Sequence, residues 1–132
     1  MINWPDISLG IVLGLLAAHW IGDFLLQTNY QAVNKSKNNW ALTQHVLTYT
    51  MCFAPFGWTF MGATFVAHWL TDWFTSRRSA AHWYIQPGIK DGVPILELNN
   101  IQRAWFWAWI GFDQLIHAIT LIGTYGYIHY TN

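Results

Sequence analysis

Three segments of the chain set an imidazole one helical turn from a carboxylate. His19 and Asp23 lie in Ala18-His19-Trp20-Ile21-Gly22-Asp23-Phe24-Leu25, and His68 and Asp72 in Ala67-His68-Trp69-Leu70-Thr71-Asp72-Trp73-Phe74, while Asp113 and His117 carry the pair in reverse order. Residues i and i+4 share a helix face, so each segment directs one nitrogen and one carboxylate the same way. A seventh group, His45, sits in another apolar run. Imidazole nitrogen and carboxylate oxygen form a ligand set suited to Zn²⁺ first, and also to Fe²⁺ or Mn²⁺. Helix bundles commonly hold such sites in their cores. Seven donors (His19, Asp23, His45, His68, Asp72, Asp113 and His117) exceed the needs of one tetrahedral ion. Two ions, or one ion with supporting carboxylates, would use them. Asp113 is the candidate catalytic base, a carboxylate held off the ion beside activated water. Three other readings stay open: a proton or ion pathway, His–Asp hydrogen bonds that only join helices, and haem ligation. Haem is the least suited, because most of these histidines come with an Asp one turn away; His45 and His117 alone would serve it.

The elements that must position these groups follow from composition. The chain has 132 residues, enough for one domain spanning 1–132, with 54% hydrophobic residues, 9% charged and ten Trp. A soluble domain carries about 25% charged residues, so this chain is expected to face lipid rather than water. A net charge of zero offers no basic face for nucleic acid. The single Cys52 excludes an internal disulfide. The N-terminal apolar run lacks a Lys/Arg n-region and is long enough to span, so it reads as a retained helix rather than a signal peptide.

Trp4-Pro5-Asp6 reads as a helix start, with Asp6 able to cap. Four spans are expected at about 7–26, 40–54, 58–76 and 101–127. Pro55-Phe56-Gly57 divides the second and third, because proline cannot continue the hydrogen-bond ladder and glycine tolerates a turn. Gln27 to Asn39 forms a first polar loop. Residues 77–100 form a longer one, carrying the turn signals Pro87-Gly88 and Asp91-Gly92, with Val93–Leu98 a candidate strand. Asn99 or Asn100 caps the last span. The fold class is thus all-α: an integral membrane four-helix bundle of two helical hairpins, related by duplication if the two Ala-His-Trp segments are equivalent.

Lys35, Lys37, Arg77, Arg78, Lys90 and Arg103 are the complete set of Lys and Arg, and all fall in or beside the first and third loops. The positive-inside rule then places those loops in the cytoplasm and both termini outside. His19, Asp23, His45, His68 and Asp72 come at similar depth in the cytoplasmic half. Asp113 lies deeper, about 15–18 Å along its helix at 1.5 Å per residue, unless the first turn of that helix projects from the membrane. A carboxylate at mid-bilayer costs about 2.5–3.5 kcal/mol on insertion scales. With no Lys or Arg deep in the spans to pair them, the three Asp must be protonated, paired with imidazolium, or neutralised by a bound cation.

Trp4 and Trp58 on one side, with Trp40, Trp73, Trp83 and Trp105 on the other, read as aromatic belts, and Trp20, Trp69, Trp107 and Trp109 as packing between helices. Tyr49, Gln27 and Gln114 adjoin His45, Asp23 and Asp113, where they could orient the donors or face outward. His82 and His129 read as solvated. Arg77-Arg78 reads as a topology signal, and more weakly as a site for phospholipid headgroups.

His19-x-x-x-Asp23-Phe24-Leu25-Leu26-Gln27, Lys35, His45, His68-x-x-x-Asp72 and Asp113-Gln114-x-x-His117 together resemble an uncharacterised family of small bacterial and phage integral membrane proteins, the domain of unknown function 3307. The resemblance covers nearly the whole chain and implies a bacterial or phage-encoded inner-membrane protein, with no activity to transfer. The pattern is more distantly similar to membrane-bound metal-dependent hydrolases that set His and Asp on transmembrane helices. It lacks their Asp-Ile-Asp-type and His-Arg-Gly-x-Thr-His-type segments.

Three functions follow as expectations. The first is a metal-dependent hydrolase of a lipid or other amphiphile. The second is a non-catalytic accessory subunit of a larger membrane assembly, and the third a proton or metal-ion conduit.

Overall fold

The computed structural model describes residues 7–85 and 100–130. Helix α1 (Leu9–Trp20) starts at Ser8, whose Oγ accepts from the Ile11 N–H; the expected cap, Asp6, lies outside the described residues. The chain then widens into a π-helical turn, Ile21–Leu25, closed by the Leu26 N–H donating to the Ile21 carbonyl at 3.0 Å. Such turns recur at functional sites because they re-aim side chains without ending the helix. Asp23 stands inside this one, 4% exposed.

The polar segment from Gln27 is not a plain loop. Thr28 and Gln31 form a capping box: Thr28 Oγ1 accepts from the Gln31 N–H at 3.2 Å, and Gln31 Oε1 from the Thr28 N–H at 2.9 Å. It starts the short α2 (Asn29–Asn34). Helix α3 (Asn39–Met51) is capped by Asn38 and ends ahead of a 3₁₀ turn, Ala54–Phe56, with Pro55 in its first turn and Gly57 at φ 101°. That backbone conformation favours glycine, and it separates α3 from α4 where the break was expected.

Helix α4 runs Trp58–Ile85 and corrects the expected loop from residue 77. Arg77, Arg78, Ala80 and Ala81 are good helix formers, so their polarity does not end the helix. Helix α5 spans Asn100–Tyr130. The candidate strand Val93–Leu98 lies outside the described residues. Helix α3 packs on the π turn, on α2 and on α4; α4 packs on α5, and α5 on α1. The four long helices therefore close a ring around one interior.

That interior has two ends. Away from the basic residues, Leu15, Phe53, Phe60, Leu121 and Tyr125 form an apolar core. Within it Phe60 meets Phe53 and Tyr125 edge-on at 5.8 and 5.4 Å between ring centroids, the geometry aromatic quadrupoles favour. The other end buries His19, Asp23, His45, His68, Asp72 and His117. The exterior is the apolar side: Leu9, Leu13, Trp20, Leu47, Val66, Leu70, Trp107, Leu115 and Ile119 are all more than half exposed. Trp20 and Trp107 thus point outward instead of packing between helices. Trp69 and Trp109 turn inward, donating to Thr43 Oγ1 and to the Thr75 carbonyl. Among the described residues, no helix is long and apolar enough to cross a membrane. Arg77 donates to the Ser36 carbonyl and to Asn39 Oδ1, so the basic first loop and the basic stretch of α4 share one end of the bundle.

Candidate metal centre

Four side chains from three segments converge on one point. Asp23 comes from the π turn, His45 from α3, and His68 and Asp72 from successive turns of α4; one donor atom of each lies within 4.8 Å of the others. His45 Nε2 is 3.0 Å from Asp23 Oδ1 and 3.3 Å from Asp72 Oδ2. His68 Nε2 is 3.3 Å from His45 Nε2 and 3.7 Å from each of the same two oxygens. Donors bonded tetrahedrally to zinc at about 2.0–2.1 Å stand about 3.3 Å apart. The observed separations bracket that value. Asp23 Oδ1 is buried with no hydrogen-bond partner, although His45 Nε2 is so near. An unsatisfied buried oxygen facing two imidazole nitrogens is an arrangement that a cation would complete.

Lys35 caps this group. Its Nζ donates to Asp72 Oδ2 at 2.9 Å and stands 3.5 Å from His45 Nε2 and 3.8 Å from Asp23 Oδ1. Burial works against the charge, but the Asp72 and Asp23 carboxylates outweigh it and raise the Lys35 pKa above the ordinary lysine value. The expectation that no cation lies within reach of the carboxylates is therefore corrected. A loop lysine, carried on the helical turn that follows the Thr28–Gln31 box, folds back over them.

His19 stands apart from the four. Gln114 Nε2 donates to Asp23 Oδ2 at 3.0 Å and to Asp113 Oδ2 at 3.2 Å. Both partners only accept, which fixes the amide with Oε1 toward His19, 2.8 Å from Nε2. His19 Nε2 therefore carries the proton, and the neutral ring accepts from the Tyr49 hydroxyl at Nδ1, 3.0 Å away. Both nitrogens are engaged, leaving no lone pair for an ion. Tyr49 also lays its ring on His68, with centroids 3.7 Å apart. Gln114 and Tyr49 thus face inward and orient the donors.

His117 and Asp113 sit beside the four, with His117 Nε2 3.3 Å from Asp72 Oδ1. The expected extra depth of Asp113 disappears, because α4 and α5 extend beyond the ends of α1 and α3 and bring Asp113, Gln114 and His117 level with Asp23 and Asp72. His129 is exposed, as expected, near the far end of α5.

The family model described as "Protein of unknown function (DUF3307)" matches residues 11–132. The chain belongs to that family. No curated protein and no solved structure matches it, and no match stands behind the likeness to membrane-bound hydrolases. The four-donor group opens on one side into a cavity of about 180 Å³ bordered by Asp23, Gln27, Lys35, Trp109, Asp113 and Gln114. On the other side, Thr64, His68, His117, Thr120 and Thr124 border a space of about 10 Å³, close to the volume of one water. Thr64 Oγ1 and His68 Nδ1, both on that border, lack protein partners.

Proposed function

We propose that this protein is a membrane-embedded metalloprotein holding a divalent cation, zinc foremost, on Asp23, His45, His68 and Asp72. The observation that carries the reading is the set of 3.0–3.7 Å separations among four buried donors. Membrane embedding is supported by the reversal of the usual distribution, polar groups inside and large apolar side chains outside. The inward His, Asp and Thr lower the mean hydropathy of each helix without altering its outer face. Basic residues gathered at one end of the bundle support a cytoplasmic placement of that end, in a bacterial or phage-encoded inner membrane with both termini outside.

A divalent ion polarises a carbonyl or phosphoryl oxygen and acidifies water. The residues around the cavity suit that chemistry: Lys35 offers a cation to an oxyanion, and Phe24, Trp109 and Ile110 give an apolar wall for an acyl or prenyl chain. Hydrolysis of a lipid or similar amphiphile is the reaction class we favour.

The second reading, a charge network that only fixes the bundle of an accessory subunit, draws on the 2.9 Å Lys35–Asp72 pair. Metal analysis of the purified chain, with Lys35→Met beside it, separates the two. A metal centre predicts bound ion in the wild type and retention or tightening in Lys35→Met, since the ammonium competes for Asp72 Oδ2. A network predicts no ion, and a loss of about 3–5 kcal/mol in Lys35→Met, the cost of breaking a buried pair, that zinc does not restore.

A further inference from the structure

Asp72 has two oxygens, and they face different partners. Oδ2 belongs to the four-donor group, while Oδ1 lies 3.3 Å from His117 Nε2. Asp72, Asp113 and His117 form a second group with donor atoms within 4.8 Å of one another.

The state of His117 follows from its other nitrogen. Nδ1 is 2.9 Å from the Asp113 backbone carbonyl, which only accepts, so Nδ1 carries a proton and Nε2 is the nitrogen at which the neutral ring would bind an ion. His117 is 2% exposed, and Nε2 has no hydrogen-bond partner although Asp72 Oδ1 is close. Asp113 Oδ1 is likewise buried without a partner. Three donors from two helices thus face one another, and Lys35 lies on the Oδ2 side of Asp72.

We infer that Asp72 bridges two divalent cations, one on Asp23, His45, His68 and Asp72 Oδ2, the other on Asp72 Oδ1, His117 and Asp113. This rests on the reading of the first group as a metal site. The second position has three protein donors rather than four; Asp113 borders the 180 Å³ cavity and His117 the 10 Å³ space, so solvent or substrate can complete the coordination. Paired cations acting on the attacking and leaving oxygens are an established use of such centres. An oxyanion in the cavity would meet both the second ion and Lys35, which borders the same space as Asp113.

The test is a count. The purified full-length chain is loaded with Mn²⁺ alone, with and without inorganic phosphate, freed of unbound ion and measured for Mn per chain and by electron paramagnetic resonance. Two ions with an exchange-coupled spectrum, in phosphate or in both conditions, are expected. His117→Ala and Asp113→Asn should each reduce the count to one, with an isolated-ion spectrum. One ion in wild type under both conditions, or two uncoupled ions, overturns the bridge while leaving the first site standing; none overturns both readings. If His117→Ala does not fold, Asp113→Asn decides on its own: two ions retained there places the second ion elsewhere and overturns the assignment.

Discussion

His19 and His68 follow the same alanine, precede the same tryptophan and stand four residues before an aspartate. Both are buried, with ring centroids 6.4 Å apart, as two copies of one helical face directed at a common axis would be. Their chemistry nevertheless differs. His68 lies on an uninterrupted helix, and its Nε2 joins the converging donors. His19 precedes a π turn, and Tyr49 and Gln114 take both of its nitrogens. Asp23 and Asp72 both meet His45 and Lys35 and diverge beyond them: Asp23 is held by the Gln114 amide, whereas Asp72 reaches His117. Spacing along the chain sets which face a residue occupies, and neighbours from other helices decide what its lone pairs do there.

The carboxylates give the largest expected contrast. Asp72→Asn weakens both donor groups at once, so the full-length chain should lose all metal, an affinity fall of more than about 100-fold at each position. Asp23→Asn touches one group and should leave one ion. Mass-spectrometric metal counts on the two variants, with circular dichroism to establish helicity, make the comparison. Equal losses would mean that Asp72 is no more central than its counterpart.

For the histidines, His68→Ala removes a donor and should lose the ion of the first group. His19→Ala removes an orienting hydrogen bond, and groups in that role typically change metal affinity by about 10–100-fold. Tyr49→Phe, which deletes the hydroxyl that His19 accepts while keeping the ring on His68, should fall with His19→Ala. Zinc titration by isothermal calorimetry ranks the three, and a His19→Ala protein as metal-free as His68→Ala would make His19 a ligand after all.

Much of this centre could be read from the chain because a spacing of four, repeated three times in apolar runs, has few other physical meanings. The hairpin break was readable at Pro55-Phe56-Gly57 for a similarly local reason. Lys35 was not, since a lysine in a polar stretch registers first as a topology signal. The cue was the Thr28-x-x-Gln31 capping box, which starts a helix and folds that stretch back over the bundle. The π turn has no cue at all: Ile21-Gly22-Asp23-Phe24-Leu25 suits an ordinary helix, and only packing on α3 selects the wider one. Helix α4 runs past the expected end because helix propensity outweighs polarity at Arg77–Ala81.

The smallest effect concerns Gly22 and Thr71, which occupy the same place in the two repeats, one residue before the aspartate. A Cβ on Gly22 would come 2.9 Å from Tyr49 Cδ2, 3.1 Å from its Cα and 3.2 Å from its carbonyl oxygen. Two of those atoms are backbone, so rotating the tyrosine does not relieve the contact, and the π turn must move away from α3. Overpacking of this kind costs about 1–3 kcal/mol. Thr71 meets no such wall. Its hydroxyl donates to the Ala67 carbonyl of its own helix at 2.8 Å, and Thr71→Ala should stay within about 0.5 kcal/mol of wild type. Thermal unfolding of Gly22→Ala and Thr71→Ala, each with and without zinc, measures the difference. Gly22→Ala should also gain less from zinc than Thr71→Ala, because moving Tyr49 disturbs the hydroxyl on His19 and the ring on His68 together. A Gly22→Ala protein that melts and responds to zinc like Thr71→Ala would show that the close approach of the π turn to Tyr49 is dispensable, and that the asymmetry between the repeats arises from Gln114 alone.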